Sequence, residues 1–279
     1  MSSLNSLNVS LEEVFETKCQ LGEGLFINSE IQSWVDINNN KLIFCSEEGL
    51  KIRSLKNKPS VVLSGKKDFL TIGCDKGILT FDTCRDEENL ILDISENHNT
   101  KDFRSNDGTF FGKNILLSFM HRTDPKKNPG FIYMISGKSI NLVEEKIYIA
   151  NSFIKISEDT VLISDSLKQE IWSYCFDSKT RSFNKKLWAK IDNSAAPDGG
   201  CIIDDLIFIA LWDDASIGIF SLEGELLKKI DVPAKRPTNC KYDPISSKLW
   251  VTSAREDLSI NQIKSYPSSG NTFIYNLQF

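Results

Sequence analysis

Ala196-Pro197-Asp198-Gly199-Gly200, followed by the apolar run from Ile202 to Trp212, is the stretch from which the fold of this 279-residue chain can be read. Pro197 fixes one backbone torsion and the two glycines allow a tight bend, so Asp198 is expected at the lip of a strand rather than inside one. Ile202-Ile203 and Leu206 to Trp212 read as two strands of a buried sheet. Taken alone, the aspartate is either a turn cap or a carboxylate aimed from a rigid scaffold at a metal or a reacting group. The rest of the chain separates the two, because similar polar turns return along it.

Working outward, short apolar runs bounded by Gly, Asn, Asp, Ser or Pro dominate: Leu42-Ile43-Phe44, Ile78-Leu79-Thr80-Phe81, Phe131 to Met134, Val161-Leu162-Ile163, Ile171 to Tyr174, Leu249-Trp250-Val251 and Phe273-Ile274-Tyr275. Helical periodicity is hard to find, and even Ser10 to Phe15 reads as leading into an edge strand. Polar turns open successive units at Gly22-Glu23-Gly24, near Gly65, at Asn106-Asp107-Gly108, at Asn151, at Asp198 and at Arg236 to Asn239. From Gly65 onward they recur every 41 to 47 residues. That spacing, with about four short strands per unit, is the period of propeller blades. A pair of β-sandwiches would not return a polar turn at one phase of a repeat. The expectation is an all-β, six-bladed β-propeller spanning residues 1–279 as a single domain.

Composition narrows the classes of function. A hydrophobic content of 41% with 25% charged residues is ordinary for a globular protein. The net charge of -5 and the lack of any Lys/Arg cluster beyond pairs such as Lys66-Lys67 argue against a nucleic-acid surface. No run reaches the length of a membrane span, and Met1 to Asn5 lack a basic or apolar leader, so a cytoplasmic protein without membrane partners is expected. The 7 cysteines are odd in number and show no C-x-x-C spacing, which points to reduced thiols rather than a disulfide framework or a thiolate metal site.

Innermost strands of a propeller face the central channel, so closure of the ring gathers Glu23, Asn106, Asn151 and Asp198 in one place. Two carboxylates and two amides suit a hard divalent cation, and with only two histidines, His98 and His121, a His-rich zinc site is not expected. Neither a G-x-S-x-G elbow, a Walker loop nor a dinucleotide fingerprint is present. A cation held by oxygens can polarise a carbonyl and acidify water, which is equipment for opening an ester or lactone without a Ser or Cys nucleophile. Residue by residue the plain reading stands beside this one, with Asn151 as a strand-end turn former. Glu23 between two glycines is harder to explain that way, since no turn requires Glu there.

Eight motifs in order carry a resemblance. Leu21-Gly22-Glu23-Gly24, Trp34-Val35-Asp36-Ile37, Arg104-Ser105-Asn106-Asp107-Gly108 and Ile149-Ala150-Asn151 with Ile163-Ser164-Asp165-Ser166 come first. Ala196-Pro197-Asp198-Gly199, Ala210-Leu211-Trp212, Arg236 to Cys240 and Val251 to Arg255 follow. Together they resemble the SMP-30/gluconolactonase/luciferin-regenerating-enzyme (regucalcin-like) family over nearly the whole chain. The resemblance implies a six-bladed propeller with one divalent cation in the central channel (Ca, Zn, Mg or Mn) and activity on sugar lactones. It implies Glu23, Asn151 and Asp198 as metal ligands, Asn106 beside or on the metal, and Arg104 and Asn106 as contacts to sugar hydroxyls. Asp198 is the candidate to shuttle the proton of the attacking water, and Asp165 is expected to orient Asn151 from behind. The chain departs from the family at Ala150-Asn151-Ser152, where the family has Pro-Asn-Gly. It departs again at Phe119-Met120-His121-Arg122, where an acidic substrate contact is usual. His121 and Arg122 are therefore candidate contacts to an anionic or differently hydroxylated substrate.

The function expected is metal-dependent hydrolysis of a sugar lactone to the aldonic acid, by a monomer or weak oligomer. The alternatives are a propeller that binds metal or sugar without turnover, and a metal-dependent esterase or phosphotriesterase.

Overall fold

The computed structural model describes residues 7–192 and 194–279. Met1 to Asn5, read above for a leader, lie outside the described residues. Six four-stranded antiparallel sheets form a closed ring. Their innermost strands are Gly22–Ile27, Pro59–Lys66, Phe103–Phe111, Ala150–Lys155, Ala196–Ile203 and Arg236–Asp243, which open blades 1 to 6 in that order. Within blades 1 to 5 the chain simply meanders outward. In blade 6 the outermost strand comes from the other end of the sequence: Asn8–Phe15 pairs antiparallel with Thr272–Gln278. The Ser10 to Phe15 stretch is thus the edge strand that seals the ring.

Alternation along each strand sends successive side chains to opposite faces, and here each face meets a different neighbour. In the strand Thr160–Asp165, Val161 and Ile163 pack with Ile132 and Met134 of blade 3, whereas Leu162 packs with Ile207 and Ile209 of blade 5. The buried apolar side chains fall into six clusters among the described residues, one for each seam between blades. The closing seam, between blades 6 and 1, holds Trp34, Trp250, Ile43 and Ile274, with Phe15 stacked on Trp250 at 5.7 Å. Burial of each such side chain contributes about 1.5–3 kcal/mol, so the ring is held by its seams. The short α-helix Ile260–Ser265, capped by Ser259 and Gln262, lies outside this repeat.

Two expectations change in detail. The polar turns are bulges inside the innermost strands, not loops before them. The register slips between Glu23 and Phe26, Ser105 and Gly108, Asn151 and Ile154, Pro197 and Gly200, and Pro237 and Asn239. A bulge inserts unpaired residues and re-aims a side chain, which is how one position per blade turns toward the axis. Asp198 therefore sits within a strand. Gly199 is needed for close approach rather than for bending: a Cβ there would lie 2.3 Å from the Asn239 amide. Blade 2 was also placed out of phase. Its register slips twice, between Pro59 and Val61 and between Val62 and Ser64, and Gly65 is near the far end of the strand, where it accommodates Leu70 and Ile31. Among the described residues no helix is long and apolar enough to cross a membrane.

Candidate functional site

The bulges of blades 1, 3, 4 and 5 deliver Glu23, Asn106, Asn151 and Asp198 to one cavity of about 530 Å³ at the mouth of the channel, with Arg104 beside them. All five side chains are buried. Glu23 is held by its neighbours' small size. Gly24 has φ +61°, and a Cβ on it would come within 2.5 Å of the Ser60 carbonyl oxygen and Val61 Cα. The Glu23 Oε2 accepts hydrogen bonds from the Gly24 N–H (2.9 Å) and, at the long limit, from the Asn239 amide (3.5 Å).

A chain of hydrogen bonds runs across three blades. The Arg104 guanidinium donates to Asn106 Oδ1 (2.8 Å), Asn106 Nδ2 donates to Asn151 Oδ1 (2.7 Å), and Asn151 Nδ2 donates to Ser166 Oγ (3.0 Å). Ser166 Oγ in turn donates to the Pro197 carbonyl (2.7 Å), next to Asp198. Asn106 also donates to the Ala150 carbonyl (3.1 Å), so both its amide hydrogens are engaged. One guanidinium nitrogen of Arg104 makes both of its hydrogen bonds, to Ser105 O and Asn106 Oδ1. The other two nitrogens make no hydrogen bond to the described residues, and Arg104 lines the cavity. Burial weakens its hold on the proton, opposed by the charges of Glu256 and Glu23.

Asp198 is the exception to this satisfied network. Among the described residues its buried Oδ1 has no N–H or hydroxyl donating to it, and the same is true of Asn239 Oδ1. The Glu23 and Asp198 carboxyl groups lie within hydrogen-bonding reach of each other. Burial, and then the Asp107 carboxylate, push Glu23 up to about 8. Burial, and then Glu23, raise Asp198 well above the usual carboxylate range. Two buried carboxyl groups, with acceptor oxygens beside them that no described residue satisfies, are costly without a counter-charge. The residues present fit a hard divalent ion, with two carboxylates and amide oxygens as donors. Among the described residues, no three His, Cys, Asp or Glu side chains converge as a metal group, so the fit rests on this mixed oxygen set.

Asp165 takes a different position from the one expected. Its carboxylate accepts hydrogen bonds from the Tyr148 N–H (3.1 Å) and the Ile149 N–H (3.5 Å), and Lys168 lies 3.5 Å away. It pins the backbone leading into the Asn151 strand, while Ser166 is the side chain that touches Asn151. Asp36 does the same in blade 1, accepting from the Gln20 and Leu21 N–H groups (3.0 and 3.1 Å). The two occupy equivalent places, Asp36 opposite Gly22 and Asp165 opposite Ala150.

His121 and Arg122 are not brought to the cavity. The strand Asn114–His121 ends there, and neither residue is among those lining the cavity. His121 Nδ1 accepts from the Asp124 N–H (3.1 Å), with its ring edge-on to Phe103. Arg122 donates to the Thr100 carbonyl (3.0 Å) and pairs with Asp75 of blade 2 (2.7 Å). The remaining wall contains residues that sequence reading passed over: Met120, Lys126, Leu167, Trp212 and Glu256. Asn239 was within reach of that reading, since it sits at the blade 6 bulge in the same phase as Asn151. The rim residues follow strand ends at no fixed phase and leave no periodic signal.

With the geometry in view, comparison with known proteins gives a consistent answer. The family model described as SMP-30/gluconolactonase/LRE-like region matches residues 21–255. An L-arabinolactonase of Azospirillum brasilense is 25% identical over 93% of this chain and 89% of its own length. Among solved structures, regucalcin from Agrobacterium tumefaciens, described as a calcium-binding protein, superposes with a TM-score of 0.85 at 22% identity, covering 95% of this chain and 93% of that one. A luciferin-regenerating enzyme superposes at 0.82 and 19% identity, covering 98% and 96%. A gluconolactonase from Xanthomonas campestris does so at 0.71 and 13%, covering 94% and 88%. At such identities these structures speak for the fold. The family match, which takes in every bulge from Glu23 to Asn239, goes further: this chain belongs to the SMP-30/gluconolactonase/LRE-like family.

Proposed function

We propose that the protein hydrolyses a sugar lactone to the corresponding aldonic acid, with one divalent cation (Ca, Mg, Mn or Zn) held by Glu23, Asn151 and Asp198. The observation that carries this reading is the orphaned, buried Oδ1 of Asp198 beside the Glu23 carboxyl group. An arrangement this unfavourable without a counter-charge becomes favourable with one. When bound, such a cation polarises a carbonyl and lowers the pKa of water. The chain's own residues do the rest. Arg104 presents its two unused guanidinium nitrogens to ring hydroxyls, as a fork whose third nitrogen is fixed by Asn106 and Ser105. Asn106 fixes Asn151 through one amide hydrogen, so the Asn151 oxygen keeps a second lone pair for the cavity. Met120, Leu167 and Trp212 cover the less polar face of the sugar and exclude water. Asp198, its Oδ1 unclaimed by the protein, accepts the proton of the attacking water and returns it to the ring oxygen as the ester bond breaks. The 25% identity to an L-arabinolactonase supports a sugar lactone over other electrophiles.

Protein stripped with chelator and offered arabinono-, xylono- and gluconolactone, with each cation in turn, tests the reading by acid release against a pH dye. The expected result is saturable turnover restored by at least one cation. Tight cation binding with no turnover of any lactone or ester would replace the enzyme by a binding propeller.

A further inference from the structure

Glu256 lines the same cavity from the blade 6 side, outside the oxygen set on the channel floor. It is held in place from three directions. Its N–H donates to the Gln20 carbonyl (2.8 Å), its own carbonyl accepts from the Arg236 guanidinium, and its Oε1 accepts from Asn38 Nδ2 (2.7 Å). Its Oε2 has no hydrogen bond among the described residues. The other acidic rim residue, Asp213, is already committed to Arg236 (2.7 and 3.4 Å), whose guanidinium in turn stacks on Trp212 at 4.8 Å. Lys126, the basic rim residue, is exposed and ion-paired to no described residue, so its charge is screened by water. The cavity thus has one anchored carboxylate on its rim, whose Oε2 has no hydrogen bond to the described residues and whose charge acts on Arg104, and the Arg104 nitrogens that bond no described residue within its walls.

We infer that Glu256 selects the substrate: its free oxygen takes a hydrogen bond from a hydroxyl of the sugar whose other edge is held by Arg104. The site therefore admits uncharged, polyhydroxylated lactones and rejects those carrying a carboxylate at that edge. The inference rests on the lactonase reading for its substrate class. A fixed acceptor discriminates because a hydroxyl satisfies it, whereas a second carboxylate adds like-charge repulsion.

The test uses two lactams, ring amides that are not hydrolysed: gluconolactam, and its counterpart with a carboxylate replacing the terminal hydroxymethyl group. Binding of each to the cation-loaded wild type and to Glu256→Gln is measured by calorimetry, beside hydrolysis of the matching lactones. The substitution is expected to weaken gluconolactam about tenfold, as for loss of a charge-assisted hydrogen bond. It should leave the carboxylate lactam bound as tightly or more tightly, so the preference between the two narrows tenfold or more. Asn38→Ala, which removes the anchor and keeps the carboxylate, is expected to narrow the same preference about threefold. An unchanged preference in Glu256→Gln overturns the inference, and so does failure of the wild type to bind gluconolactam. Because the lactams need no turnover, lactones left intact by a protein that binds gluconolactam through Glu256 would sink the lactonase reading alone.

Discussion

Asp165 and Asp198 stand on neighbouring blades, are buried to a similar degree, and lead opposite lives. Asp165 is a carboxylate answered by the protein: two backbone N–H groups point at it and a lysine lies nearby. Asp198 is answered mainly by another acid: its Oδ1 has no hydrogen bond from any N–H or hydroxyl of the described residues, and the Glu23 carboxyl group lies within hydrogen-bonding reach. A buried carboxylate held by backbone N–H groups belongs to the scaffold, whereas two acids facing each other are the arrangement that the proposed cation would relieve. The contrast repeats in blade 1, where Asp36 is answered by the Gln20 and Leu21 N–H groups while Glu23 shares the strain of Asp198. Blades 1 and 4 thus each hold their cavity ligand candidate on a strand whose entry is pinned by an aspartate.

The sharpest break in this comparison is Asp198→Asn. It should lower lactonase kcat/KM by about a thousandfold, in the range for loss of a group acting in the transition state, while the metal-free protein melts no lower than the wild type. A variant that keeps activity would remove Asp198 from the chemistry. Asp165→Ala should do the reverse. It strands two part-buried N–H groups, costs about 2 kcal/mol and lowers the melting temperature by roughly 4–8 °C, with the cation affinity of the surviving folded protein changed little. A thermal scan beside a cation titration separates the two outcomes. The gentlest effect is a slope. Glu23 moves from an ordinary 4.5 to about 8, so between those pH values the folded metal-free protein keeps a proton that the unfolded chain has released. Stability of the metal-free protein should therefore fall as pH rises through that window and level off above it. Saturating cation should flatten the slope. Denaturant midpoints at pH 5, 6, 7 and 8 read it directly, and a curve that rises instead would mean that Glu23 is ionised throughout.

Much of this was legible before any coordinates, for a physical reason. Bulges need polar or small residues at one phase of each blade, so Glu23, Asn106, Asn151 and Asp198 are spaced by the period of the fold itself. What failed to be legible failed where that coupling is absent. Blade 2 puts Ser60 at its bulge, a residue too plain to mark a phase, and Gly65 attracted the reading for a packing reason of its own. His121 and Arg122 looked like site residues because they follow a site-like strand, yet Asp75 and the Asp124 N–H claim them at the seam with blade 2. Asp165 was read as Asn151's support, and its role is one step further back, in the backbone. Glu256 could not be found at all from spacing, since its position depends on Asn38, more than two hundred residues away in sequence.

The pairing of Asn8–Phe15 with Thr272–Gln278 sets an order on how the molecule comes into being. A nascent chain emerging from its first residue onward must keep that leading strand unsatisfied until the last one arrives, because blade 6 has no other outer edge. Contacts of such long sequence separation form late. Glu23 and Asp198 are flanked by the blades on either side of that latch, so the two acids are pressed together only when the circle locks. A chain cut short of Thr272 would carry every residue of the cavity and still lack the clasp that brings them face to face.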